Sequence, residues 1–208
     1  MKKIDRTHWN RAEQFAFFSA VSNPFYSVTF RVDVTRLHRY VRAHGLSFYY
    51  SLAYLVTQAV NAVENFRYVL RDGEVYLLDA RIPSLTDLHP GSEAFHIVTL
   101  PCPETMADFC AATKARSEAQ QTMLDQNADE NDTLIYLSCT PWFDLTSCTN
   151  ERDFDRDDNI PRICWGKYVA HNGRETLGMS LEVNHRFLDG YHLGQFYQKL
   201  QSSIDALE

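Results

Sequence analysis

The stretch Ser180-Leu181-Glu182-Val183-Asn184-His185-Arg186-Phe187-Leu188-Asp189-Gly190-Tyr191-His192 constrains this chain more than any other. Glu175 to Asn184 reads as a strand, the glycine-containing segment after it as a tight turn, and Gly190 onward as a helix. That helix carries Leu193, Phe196, Tyr197, Leu200, Ile204 and Leu207 on an apolar face. A histidine therefore stands at the end of a strand, with an aspartate four residues later at the head of a helix. Such a unit can hold one imidazole rigidly at the mouth of a cleft.

The rest of the chain mixes strand and helix signals. Trp9, Ala12, Phe15 and Ala16 have near-helical spacing over residues 8–21, ending at Ser22-Asn23-Pro24. Tyr26, Val28, Phe30, Val32 and Val34 alternate with Ser27, Thr29, Arg31 and Asp33, the period of a half-buried strand. Thr35 is the expected N-cap of a short helix ending at Gly45, and Ser47 that of a second with a broad apolar face from Phe48 to Val63. Phe66 to Leu70 and Glu74 to Leu78 flank Arg71-Asp72-Gly73, a hairpin signature.

Further strands are expected near 83–88, 94–100, 133–139 and 162–170, with a helix from Pro103-Glu104-Thr105 to Met123 and loops over 125–132 and 150–159. The strand over 162–170 joins the one from Glu175 through His171-Asn172-Gly173-Arg174. No regular βαβ alternation runs through this order, which argues against a doubly wound parallel sheet. The expectation is an α/β chain of α+β type: a single domain over residues 1–208, with a large mixed β-sheet flanked by helices.

A net charge of -7 without a basic stripe argues against nucleic-acid binding. No apolar run approaches membrane-spanning length, and the N-terminus has the charges of a signal peptide without its apolar stretch. The five cysteines (Cys102, Cys110, Cys139, Cys148, Cys164) include no CxxC pair, which fits a reduced, cytoplasmic protein.

Imidazole is the side chain best matched to removing a hydroxyl or thiol proton near neutral pH, provided its second nitrogen is tied down. The turn after His185 could fold the ring back against the main chain. Asp189 could orient the site or cap the following helix. By spacing alone, a His-x3-Asp at a strand-to-helix junction is more often a satisfied polar side chain and an N-cap than a catalytic pair. A metal site joining His185 to His192 lacks a third ligand at useful spacing. Cys-His catalysis through Cys139, Cys148 or Cys164 has no specific feature in its favour.

Asn184-His185-Arg186-Phe187-Leu188-Asp189-Gly190 resembles the HHxxxDG motif of chloramphenicol acetyltransferases, and Tyr191-His192-Leu193 continues the likeness. Trp9-Asn10-Arg11-Ala12-Glu13-Gln14-Phe15, Ser47-Phe48-Tyr49, Arg71-Asp72-Gly73-Glu74 with Asp79, Ser138-Cys139-Thr140-Pro141-Trp142 and Gly166-Lys167-Tyr168 are similar to family segments in the same order. The resemblance implies transfer of an acetyl group from acetyl-CoA, without a metal, to a hydroxyl of a small acceptor such as chloramphenicol. With that come antibiotic resistance and a homotrimer with active sites between subunits.

His185 would be the general base and Ser138 the oxyanion donor, with Arg11 and Asp189 as a supporting ion pair. Tyr168 and Trp142 would pack the coenzyme. Phe17, Phe18, Phe25, Phe95 and Cys164 would line the acceptor pocket.

The pattern departs at three positions: Asn184 replaces the family's first motif histidine, Phe18 its common tyrosine, and Cys164 its common threonine. Asn-His-Arg-x-x-Asp-Gly is also similar to the DHRxxDG motif of dihydrolipoyl acyltransferase cores, whose usual lipoyl and linker segments are not seen here. A non-catalytic small-molecule binding protein on the same fold is the alternative from another class.

Overall fold

The computed structural model describes residues 1–124, 132–152 and 158–208, so the loops expected at 125–132 and 150–159 lie largely outside the described residues. The chain opens with β1 (Lys2–Lys3), α1 (Ala12–Ser19), β2 (Phe25–Asp33), α2 (Thr35–His44) and α3 (Phe48–Asn61). A 3-10 turn (Glu64–Arg67) leads to β3 (Tyr68–Arg71), β4 (Glu74–Leu77), β5 (Ile82–Leu88), β6 (Phe95–Thr99) and α4 (Met106–Ala119). The remainder is β7 (Leu134–Thr140), β8 (Arg162–Gly166), β9 (Val169–His171), β10 (Arg174–Asn184) and α5 (Gly190–Asp205).

The large sheet runs β2-β10-β8-β7-β5-β6, with β9 also paired to β10, while β1, β4 and β3 form a small second sheet. Pairing is antiparallel except for β5 with β7 and β7 with β8, which makes the large sheet mixed, as expected. Helix α3 packs against α4 and α5 and reaches β5 and β7. Leu52, Val56 and Val60 of α3 meet Phe109 of α4 and Phe196 and Leu200 of α5 in one fully buried core with Leu85, Leu137 and Leu181 of the sheet. Among the described residues no helix is long and apolar enough to cross a membrane.

Local chemistry accounts for most boundaries. The Ser47 side chain caps α3 by accepting the Tyr50 N–H, and Thr105 caps α4 by accepting the Asp108 N–H. Gly45 closes α2 with a φ of 65°. Asp72 and Gly73 (φ 51° and 74°) turn β3 into β4, and Asn172 and Gly173 (φ 50° and 77°) turn β9 into β10.

Five expectations need correction. Thr35 is the first residue of α2 rather than its cap, because its hydroxyl is spent on Asp33 Oδ1 and on the Glu175 N–H. Helix α1 covers only Ala12–Ser19, and residues 64–67 form a 3-10 turn ahead of β3. Helix α4 stops at Ala119, where Gln120 turns extended and its side-chain amide donates to the carbonyls of Ile97 and Thr122. The strand expected over 162–170 is broken after Gly166, because the Lys167 N–H leaves the ladder to donate to the Phe143 carbonyl (2.8 Å).

Candidate active site

His185 follows the last residue of β10, and the main chain, not its ring, is what is tied down. Its N–H donates to the Pro24 carbonyl (2.7 Å), and its carbonyl accepts Arg11 Nη2 (3.0 Å). The ring lies face to face with Phe18 (centroids 3.9 Å apart, planes 9°) and tilted against Tyr26 (4.4 Å, 33°). Nδ1 is enclosed and makes no hydrogen bond among the described residues, so the expected folding of the ring onto the main chain is replaced by an aromatic clamp. In the sequence Tyr26 stands out only as one member of an alternating strand, and nothing there marks it as part of the site. Burial pushes its phenol up to about 12, so it stays protonated beside the imidazole.

Arg11, 6% exposed, secures the turn at three points. Its Nε donates to the Arg186 carbonyl (2.9 Å), its Nη1 to Asp189 Oδ2 (2.7 Å), and its Nη2 to the His185 carbonyl. Asp189 serves both of the roles considered for it: it pairs with Arg11, and its Oδ1 accepts the Tyr191 N–H (3.1 Å) to cap α5. Burial works to raise its pKa. The Arg11 hydrogen bond, the charges of His192 and Arg11, and the Tyr191 N–H outweigh that and hold the carboxyl below its ordinary value.

Asn184 is fully buried. Its Oδ1 accepts the Arg186 N–H (3.0 Å) and its Nδ2 donates to the Asp158 carbonyl (3.3 Å), so it braces the turn from inside.

Ser138, Cys164 and Ser180 sit side by side across β7, β8 and β10. Ser138 is half-buried, and its hydroxyl makes no hydrogen bond among the described residues. Cys148 lies over this row, its carbonyl accepting Ser180 Oγ (2.8 Å). Burial raises the thiols of Cys139 to about 12 and Cys148 to about 11, which keeps both sulfurs protonated and unsuited to nucleophilic work. Tyr168 and Trp142 follow the ends of β8 and β7. Tyr168 packs on Phe48 and His38, while Trp142 is 69% exposed.

The expected site residues therefore fall into two groups within one chain. Phe17 and Phe18 are edge to face (5.0 Å) beside His185, and Phe25 is adjacent, under the Arg152 guanidinium (3.4 Å). Ser138, Cys164, Tyr168 and Trp142 gather near the other end of the sheet, and Phe95, 48% exposed, is on the far edge strand β6. Ser138 is level with Ser180, and His185 is five residues further along β10. That is roughly 16 Å along the strands and about 10 Å across them. A proton acceptor and an oxyanion donor acting on one reacting carbon must lie within a few ångströms of it.

The family model for chloramphenicol acetyltransferase matches residues 1–201. A chloramphenicol acetyltransferase of Clostridium perfringens is 29% identical over 99% of this chain and 99% of its own length. A solved structure named chloramphenicol acetyltransferase superposes with a TM-score of 0.88 at 30% identity, covering 100% of both chains. The dihydrolipoamide acetyltransferase of Azotobacter vinelandii shares the fold, with a TM-score of 0.69 at 14% identity over 94% of this chain and 86% of that one. Two clusters of site residues on a mixed sheet, a histidine and aspartate on one turn held by Arg11, and a match along nearly the whole sequence lead to one assignment: the chain belongs to the chloramphenicol acetyltransferase family, a family of acyltransferases.

Proposed function

We propose that this protein moves an acetyl group from acetyl-CoA to a hydroxyl of chloramphenicol or a related small molecule, at sites completed between subunits of a homotrimer. His185 Nε2, the ring nitrogen that is not enclosed, takes the acceptor's hydroxyl proton as its oxygen attacks the thioester carbonyl. The Ser138 hydroxyl, without a partner among the described residues, donates to the oxyanion that forms. Collapse of this intermediate breaks the carbon–sulfur bond, and the imidazolium returns its proton to the departing thiolate. The products are the acetyl ester and free CoA thiol.

Tyr168 and Trp142, which follow the ends of β8 and β7, offer aromatic surface to the coenzyme. Phe17, Phe18, Phe25, Phe95 and Cys164 form the acceptor walls. The observation that carries the reading is the separation of His185 from Ser138: within one chain they cannot meet on one carbon, which supports a site where the base serves the Ser138 cluster of a second copy.

The test is thiol release from acetyl-CoA with chloramphenicol as acceptor. Wild-type protein should release thiol in proportion to acceptor, and folded His185→Ala should not. Turnover unchanged by that substitution would overturn the mechanism. Activity with dihydrolipoamide alone, or ligand binding without any acyl transfer, would move the protein to one of the other two readings.

A further inference from the structure

We infer that His38 and Glu175 are positioning residues for the acyl-donor site, setting the ring of Tyr168 through a three-member hydrogen-bond chain. The inference rests on the reading of Tyr168 as a coenzyme-binding residue.

His38 stands one turn into α2, Glu175 near the start of β10 and Tyr168 in the link between β8 and β9. His38 Nδ1 lies 2.7 Å from Glu175 Oε2, and its Nε2 lies 3.3 Å from the Tyr168 hydroxyl. A carboxylate on Nδ1 requires a proton there, which leaves Nε2 to accept from the phenol when the ring is neutral.

The framework under this chain is fixed by the backbone. The Val34 N–H donates to the Glu175 carbonyl and the Glu175 N–H donates to Thr35 Oγ1, both at 2.8 Å, tying the start of α2 to the start of β10. The Tyr168 ring packs on His38 (centroids 4.8 Å, 43°) and on Phe48 (5.3 Å, 53°), and His38 meets Phe48 edge to face (6.1 Å, 90°).

Because the phenol proton is engaged inward, Tyr168 presents its ring rather than its hydroxyl. The ligand feature that suits such a surface is a flat, apolar one, such as the purine ring of the coenzyme, held by stacking. The hydroxyl then contributes to binding only by fixing the ring, so removing it or removing His38 should have the same effect.

The experiment measures CoA binding by calorimetry for Y168A, Y168F, H38F, H38Q, E175A and the Y168F/H38F pair, with thermal melts to confirm folding. Y168A should weaken binding by more than about tenfold, and Y168F, H38F and E175A by about three- to tenfold each. The pair should be no weaker than either single variant. H38Q, whose amide carbonyl can accept the phenol proton, should bind within about twofold of wild type. In thiol-release assays the loss should appear in KM for acetyl-CoA, with kcat at saturation retained.

If Y168A weakens CoA and both H38F and E175A do not, the positioning role is wrong and the coenzyme reading survives. The positioning role is equally wrong if the effects of Y168F and H38F multiply. If Y168A binds CoA like wild type, the coenzyme reading fails and takes this inference with it. Should H38F not fold, E175A makes the same decision.

Discussion

At the scale of single residues, the His185 imidazole is oriented by two rings where a hydrogen bond on Nδ1 was expected. Phe18→Ala or Tyr26→Ala should therefore lower kcat by roughly 10²-fold if the ring swings by an ångström. A smaller effect on acceptor KM for Tyr26→Ala would separate orientation from substrate contact, and unchanged kcat in both variants would show the clamp to be incidental. Under the proposed mechanism, Ser138→Ala should cost roughly 10²-fold in kcat with little change in either KM, since its hydrogen bond would form only in the transition state. Equal losses in kcat and binding would point instead to a ground-state contact. His185 and Ser138 were legible in the sequence as site candidates only through their motifs. Tyr26 was not, since a tyrosine in an alternating strand looks the same whether or not its neighbour across the sheet leads into the His185 turn.

At the scale of elements, the turn from β10 into α5 and the crossing of β8 and β10 by the 143–145 segment hold the site together. Arg11→Met removes the partner of a carboxylate that keeps about a third of its surface in water. The expected loss is therefore near or below the lower end of the 3–5 kcal/mol typical of a broken buried pair. Asp189 has a lowered folded pKa, so its contribution is fully present above its unfolded value of about 4 and fades as pH falls through the folded one. Urea midpoints of wild type and Arg11→Met should accordingly converge as pH drops below about 4; a constant gap would refute the linkage. At the crossing, a Cβ on Gly178 would lie 1.9 Å from the Leu145 carbonyl oxygen, and one on Gly166 2.5 Å from the Leu145 nitrogen. Gly178→Ala should thus destabilise by about 3 kcal/mol or more, read as a urea midpoint shift. The hairpins and helix caps could be read from sequence because their residues act locally. The break after Gly166 could not, because it depends on a carbonyl at Phe143 that reaches β8 only through the fold.

At the scale of the whole molecule, one mixed sheet carries two separate groups of the expected site residues. His185, Phe18 and Tyr26 stand by the end of β10, and Ser138, Cys164 and Tyr168 stand toward the ends of β7 and β8. The mixed sheet itself was legible from the irregular order of strands and helices, but the distance between His185 and Ser138 was not, since it follows from register across three strands. Under the proposed mechanism each reaction uses His185 from one copy and Ser138 from another. The direct measurement is to unfold and refold His185→Ala and Ser138→Ala proteins together in equal amounts and assay thiol release from acetyl-CoA with chloramphenicol. Random reassembly of a closed ring leaves roughly a quarter of the sites with both groups intact, so the mixture should recover about a quarter of wild-type activity. A refolded mixture no more active than the two variants refolded apart would place both residues in one chain's site and contradict the shared-site mechanism.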